Sequence, residues 1–131
     1  MRGMTIGQLA KAAGVGVETI RYYQRRALMA VPPRPLGTVR RYPEEALARL
    51  AFIRRAQEMG FSLEEISSLI ELPAHDCVTG RGFAQAKHDE LGERIEALTR
   101  MRSRLAGYIE RSVERADGAC PFLAALNGAG D

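Results

Sequence analysis

The sequence predicts a mainly α protein in which a front of short helices is followed by one long helix carrying an apolar seam. Three observations predict it. Helix start and stop signals recur through the first 72 residues. From Phe83 to Ser112 there is no proline, and steps of four and three give Ala84, His88, Leu91, Ile95, Leu98, Arg102, Leu105, Ile109 and Ser112, apolar at six of nine positions. The charge is also divided. Residues 1–60 carry eleven Lys+Arg against four Asp+Glu, a balance of +7, whereas residues 61–131 carry eight against twelve, a balance of −4. A basic front on an acidic rear is the pattern of a nucleic-acid reader attached to an assembly region.

The elements follow in order. Thr5 and Gln8 fit a capping box, with Ile6, Leu9 and Ala13 at helical spacing behind it and Gly14 as the stop. Val15, Gly16 and Val17 make a tight connection, and a second helix begins near Glu18. It is basic (Arg21, Arg25, Arg26), with Ile20 on its apolar side and Tyr22 expected inward. Two short helices on a glycine-bearing turn, the second basic, read as a helix-turn-helix. The run from Val31 to Thr38 is turn-rich, and Thr38 to Tyr42 reads as a short strand with Gly37 at the bend, a wing carrying Arg40 and Arg41.

Pro43 suits the start of a third helix, with Leu47, Leu50, Ala51 and Ile53 inward and Met59-Gly60 as its end. Ser62 and Glu65 form a second capping box for a fourth helix through Ile66, Leu69 and Ile70, closed by Pro73. The stretch from Ala74 to Gly80 reads as a loop before the long helix. Beyond Ser112, Val113 to Asp117 is polar, Gly118 to Pro121 turns, Phe122, Leu123 and Leu126 form a short apolar helix, and Asn127 to Asp131 frays.

The long helix sets the assembly. About 30 residues at 1.5 Å each make a rod of roughly 45 Å, more than a domain of this size can cover. Its seam predicts a second copy of the same helix, hence a homodimer. His88 and Arg102 interrupt the seam, and Met101 stands in beside Arg102. No apolar run approaches a membrane span, and Met1 to Ala10 lacks a signal-peptide core, so a cytoplasmic location is expected. Two cysteines, Cys77 and Cys120, are too few for a secreted disulfide scaffold; free thiols or metal ligands are expected.

Certain runs carry a resemblance. Thr5 to Val15 (Thr-Ile-Gly-Gln-Leu-Ala-Lys-Ala-Ala-Gly-Val), Glu18 to Arg25 (Glu-Thr-Ile-Arg-Tyr-Tyr-Gln-Arg), Arg40-Arg41-Tyr42, Phe52 to Gln57 and Gly60 to Ile66 together resemble the MerR family of transcription regulators. Cys120-Pro121 is similar to its metal-sensing, above all mercury-sensing, branch. The chain departs from the family at Ala27, after the second helix, where glycine is usual and a positive φ is easier for glycine.

The resemblance implies a winged helix-turn-helix domain followed by a long antiparallel coiled-coil dimerisation helix. The expected division is a reader and linker over 1–72, a loop and dimerisation helix over 73–112, and a metal-binding loop with a short helix over 113–131. It also implies contacts to promoter DNA from Arg21 and Tyr23 on the second helix, Arg40 and Tyr42 in the wing, and Arg54 on the third helix. The residues support this independently. Guanidinium groups bind phosphate bidentately and read guanine in the major groove, and tyrosine hydroxyls bond phosphate.

The two thiols flank the long helix. If it is straight, they are tens of ångströms apart within a chain and cannot share a ligand. An antiparallel pair of such helices would bring Cys77 beside the partner's Cys120, giving two equivalent thiolate pairs. The mercury-sensing branch uses three cysteines, of which Cys77 and Cys120 match the outer two, and Ser112 stands at the middle position. A serine hydroxyl is a weak ligand for a soft ion. Ser112 is compatible with a natural two-thiolate variant, with an engineered removal, or with another signal. The spacing from Ser112 to Cys120 is that of the copper-type branch, which normally has serine before the long helix. Two thiolates suffice for linear Hg(II) or Cu(I), and His75 or His88 could add a nitrogen.

The expectation is a homodimeric regulator sensing a soft metal, Hg(II) first, that remodels promoter DNA for RNA polymerase. The alternatives are Cu(I), Cd(II) or Pb(II), or thiol oxidation through an intersubunit Cys77–Cys120 pair. An enzyme finds no support, since the chain has no Cys-x-x-Cys, no nucleophile with an adjacent base and no glycine-rich phosphate loop.

Overall fold

The computed structural model describes residues 3–34, 38–113 and 118–128. Six helices occur in them: α1 (Ile6–Ala13), α2 (Val17–Arg25), α3 (Glu44–Glu58), α4 (Leu63–Ile70), α5 (Cys77–Arg111) and α6 (Pro121–Leu126). The chain divides into two compact units, Met1–Phe83 and Ala84–Asp131, with the boundary inside α5. No helix among the described residues is long and apolar enough to cross a membrane.

Both predicted capping boxes form. The Gln8 amide donates to Thr5 Oγ1 while Thr5 N–H donates to Gln8 Oε1, and Ser62 and Glu65 repeat the exchange at α4. Each box satisfies two donors that a helix start otherwise leaves open. α1 packs on α2 and α3, and α3 packs on α4. Their common core holds Leu9, Ile20, Leu28, Leu50, Ile53 and Ile66, all fully buried. Polar ties fix α2 to α3: Tyr23 hydroxyl donates to Gln57 Oε1 at 2.9 Å, and Arg49 Nη1 donates to the Leu28 carbonyl at 3.0 Å.

Three helices of this unit end in the same closure. After α1 the Val15 amide reaches the Ala10 carbonyl, after α2 the Leu28 amide reaches Tyr23, and after α3 the Phe61 amide reaches Ala56. Each closure needs one residue in the left-handed region. Gly14 (φ 72°) and Gly60 (φ 91°) supply two of them, and Ala27 (φ 59°) supplies the third. The departure noted in the sequence is therefore a real left-handed alanine.

Several expectations are corrected. Tyr22 is exposed and Tyr23 is the buried ring, because Tyr23 lies three residues after Ile20 and shares its face while Tyr22 points elsewhere. Thr38 to Tyr42 forms no strand. Tyr42 makes only an isolated antiparallel bridge with Met4, in which the Tyr42 amide donates to the Met4 carbonyl at 2.7 Å and the Met4 amide returns at 2.9 Å. The long helix starts at Cys77, six residues before Phe83, and absorbs half of the expected loop. Asp76 is the reason: its Oδ1 accepts the Thr79 amide at 3.1 Å, an N-cap that carries the helix through Gly80 and Gly82. The bend at Gly37, the polar residues 114–117 and the frayed end 129–131 lie outside the described residues.

Relief of the left-handed alanine is measurable. Ala27→Gly is expected to raise unfolding stability by about 1 kcal/mol, read as a higher urea midpoint at unchanged slope. A lower midpoint would show that the α2 closure carries no strain at this residue.

Candidate functional site

The basic front builds a groove of about 380 Å³ whose wall includes Thr5, Arg21, Gln24, Arg34, Arg40 and Tyr42. α2 presents Arg21 and Gln24 one turn apart on one face. Residues 38–42 present Arg40, whose Nε donates to the Pro32 carbonyl at 3.0 Å, so its guanidinium is held before any ligand arrives. Arg21 is half-exposed and lies 3.6 Å from Glu18, a loose surface pair worth at most about 1 kcal/mol that leaves it available.

Tyr42 is buried, and its hydroxyl accepts from Gln24 Nε2 at 2.8 Å. No acceptor for its phenolic proton occurs among the described residues. Tyr23 differs, because its hydroxyl already donates to Gln57. Arg54 is exposed on α3. Tyr22 is sandwiched by cations: the Arg25 and Arg26 guanidinium carbons lie 5.7 and 5.6 Å from its ring centre, and Arg26 Nη1 donates to its hydroxyl at 2.7 Å. The groove thus brings together Arg21, Arg40 and Tyr42, while the Tyr23 hydroxyl is committed inside the unit. Gln24 and Arg34 were missed by sequence reasoning. Gln24 could have been found from its spacing to Arg21, and Arg34 lies in a proline-rich run with no periodicity to mark it.

The second site lies around Ser112 and Cys120. A hollow of about 240 Å³ is lined by Leu105, Tyr108, Ile109, Ser112, Cys120 and Phe122. Ser112 Oγ accepts the Phe122 amide at 3.3 Å, and the Tyr108 and Phe122 rings meet with centres 5.8 Å apart. Cys120 immediately precedes α6 and is partly exposed. Its sulfur closes no capping hydrogen bond on α6. The polar surroundings still draw its thiol below the ordinary range: the Leu123 amide most, then the Ser112 hydroxyl, with partial burial opposing and the Phe122 amide adding a little.

Cys77 is the first residue of α5 and is exposed; its amide donates to the His75 carbonyl at 2.9 Å. His75 is exposed, and His88 is exposed on α5 with its Nδ1 3.1 Å from Asp89 Oδ1. Among the described residues of one chain, no three His, Cys, Asp or Glu side chains gather as a metal site. Thirty-five residues of helix begin at Cys77 and end just before Ser112.

Comparison with known proteins adds the following. A model of the MerR HTH family regulatory proteins matches residues 4–72, and a MerR DNA-binding model matches residues 47–108. The mercuric resistance operon regulatory protein of Pseudomonas fluorescens is 39% identical over 130 residues, covering 98% of this chain and 90% of the relative. The HTH-type transcriptional regulator ZntR of Escherichia coli is 39% identical over 119 residues, covering 88% of this chain and 79% of ZntR. Among solved structures, the regulator PbrR691 from Ralstonia metallidurans in complex with lead(II) superposes with a TM-score of 0.82 at 31% identity, covering 94% of this chain and 98% of that one. MerR from Bacillus megaterium in complex with mercury(II) gives 0.73 at 33% identity, covering 95% and 99%.

The surroundings of Cys120 make a direct forecast. In a Cys77→Ser background, the pH at which Cys120 reaches half its maximal alkylation rate should lie below the ordinary thiol range. Ser112→Ala should move it upward, since one of the groups favouring thiolate is then gone. An unchanged midpoint in that variant would remove the hydroxyl as a cause.

Proposed function

The chain belongs to the MerR family of helix-turn-helix regulators, and on that premise we propose that it is a homodimeric, metal-responsive transcription regulator with Hg(II) as its effector. The observation that carries the reading is the placement of the thiols, Cys77 on the first residue of α5 and Cys120 beyond its other end, in a hollow with Leu105, Tyr108 and Ile109. The working division is a reader over residues 1–72, a loop and dimerisation helix over 73–112 and a sensing segment over 113–131. Such a regulator works in the cytoplasm, on double-stranded promoter DNA and beside RNA polymerase.

The dimer follows from α5. Leu91, Ile95, Leu98, Met101, Leu105 and Ile109 are between 37 and 72% exposed. Covering what remains open of six such side chains contributes roughly 5–10 kcal/mol per chain, hence about twice that per pair. Association itself costs about 4–15 kcal/mol, so pairing wins. Antiparallel pairing sets Cys77 beside the partner's Cys120 at two equivalent sites.

The donors fit a soft ion. They are two thiols, one already drawn toward thiolate, beside a hollow walled by carbon, a phenol and a serine hydroxyl. Bound there, Hg(II) supplies strong bonds to both sulfurs. Holding Cys120 against the partner's Cys77 fixes the start of one α5 to the end of the other, and α5 leads back through α4 to the reader. Two arrangements of the paired readers then differ in which one the thiols favour. The relatives include ZntR and the lead(II) complex of PbrR691, so Cu(I), Cd(II) and Pb(II) are the competing effectors. The lowered Cys120 thiol also favours a second reading, in which the pair oxidises to an intersubunit disulfide; a covalent dimer on non-reducing gels after oxidant, insensitive to metal, would identify it.

On the DNA side, Arg21 reads base edges from α2, Arg40 and Arg54 bind phosphate, and the free phenolic proton of Tyr42 donates to phosphate. Tyr23 acts at the same surface by anchoring α2 through Gln57. Arg21→Ala should weaken operator binding and relax its sequence preference, whereas Arg40→Ala should weaken all DNA alike and flatten the salt dependence. Unchanged operator affinity in both variants at fixed salt would remove this groove as the reader.

The shared thiol site is tested by complementation. Cys77→Ser and Cys120→Ser homodimers should each lose both sites. A heterodimer with one substitution per chain keeps one intact pair, because the unaltered Cys77 faces the partner's unaltered Cys120. It should bind half as much Hg(II) as the parent dimer under thiol competition, with near-parent affinity. Absence of binding by the purified heterodimer would sink the shared site and the antiparallel pairing together.

A further inference from the structure

The Ser112 hydroxyl stands where the family resemblance implies a third thiolate, and its contact ties two helices of one unit together. Its Oγ accepts the amide of Phe122 at 3.3 Å, across ten residues of chain. Helix α6 starts with Pro121, which has no amide proton, so Phe122 offers the first donor of that helix. Ser112 therefore takes the first amide that α6 offers. The ring contact between Phe122 and Tyr108 seals the same junction from its apolar side. Both ends of these contacts, and Cys120 between them, lie in the unit Ala84–Asp131.

The wall around Cys120 matters equally. Besides the thiol itself it consists of Leu105, Ile109, the two aromatic rings and this hydroxyl. Among the described residues this wall holds no imidazole and no carboxylate, and no cluster of three candidate ligands exists among them. Among the described residues an ion meets one strong donor here, the Cys120 thiol, and the pairing proposed above brings a second from the partner chain.

The geometry points to Ser112 as a positioning and selectivity residue, not a ligand: its hydroxyl pins α6 to the end of α5, presets Cys120, and confines the response to ions satisfied by two thiolates. The selectivity rests on the metal-sensing reading above, whereas the pinning does not. A thiol at this position would lose the hydroxyl's acceptor strength toward the Phe122 amide and add a third soft donor. The change would loosen the clasp and widen the range of ions together.

Two measurements on the full-length dimer decide the matter. The first needs no metal. Hydrogen exchange at the Phe122 amide should be about 2- to 10-fold faster in Ser112→Ala, the range one hydrogen bond supports, and should return toward the parent rate in Ser112→Thr. Equal exchange in all three overturns the clasp. The second is thiol competition with Hg(II) and Cd(II). The parent should prefer Hg(II), Ser112→Ala should keep that preference with about 10-fold weaker Hg(II) binding, and Ser112→Cys should gain Cd(II) affinity on the order of 100-fold. An unchanged Hg(II)/Cd(II) ratio in Ser112→Cys overturns the selectivity role. If no form binds either ion while the exchange pattern holds, the metal-sensing reading falls and takes the selectivity with it, and the clasp stands.

Discussion

A helix of 35 residues with an uncovered apolar stripe is the constraint on which the rest of this molecule depends. Its own chain leaves Leu91, Ile95, Leu98 and Ile109 in water, a cost that folding alone does not remove. The proposed pairing would remove it, and in the antiparallel form it would also bring two cysteines from opposite ends of one helix together. On that proposal the thiol chemistry is a by-product of how the stripe is covered. A shorter helix would then leave Cys77 and Cys120 with nothing to share.

At the basic end, the groove is organised by hydrogen bonds internal to the protein more than by charge alone. Pro32 holds Arg40, Gln24 holds the Tyr42 oxygen, and Gln57 takes the Tyr23 proton. Preset side chains lose less freedom on binding than free ones. The two tyrosines, equivalent as residue types, differ in their bonding: the Tyr23 hydroxyl donates to Gln57, whereas the Tyr42 hydroxyl accepts from Gln24.

Much of this was legible in the sequence, and the exceptions have physical causes. The capping boxes at Thr5 and Ser62, the stop at Gly14 and the seam of α5 are local signals, readable within one or two turns of chain. The start of α5 was misplaced because Gly80 and Gly82 argue against helix while a single aspartate, Asp76, argues for it. The face of α2 was read wrongly at Tyr22 although the spacing from Ile20 to Tyr23 contained the answer. Residues 38–42 carry strand-like chemistry but find only Met4 to pair with, and one bridge is not a strand. Ser112 stands out in the sequence only as a hydroxyl where the family resemblance implies a thiol; its bond to Phe122 spans ten residues and leaves no periodic trace. The thiols flanking the helix are legible in the sequence, and the hollow beside Cys120 is not.

The burial of Ile66 carries a consequence for biosynthesis. This α4 side chain is completely enclosed in the same core as Leu9 and Ile20, so the two front helices have an unfinished interior until α4 has left the ribosome. At about 5–20 residues per second, the front helices wait several seconds between their own synthesis and their last packing partner. Their apolar faces stay exposed to chaperones in that interval. The long helix that follows is made only after the reader has the means to close. A nascent chain therefore makes the parts of its front core before it makes the apolar stripe of α5, so closure of that core comes first by the order of the sequence itself.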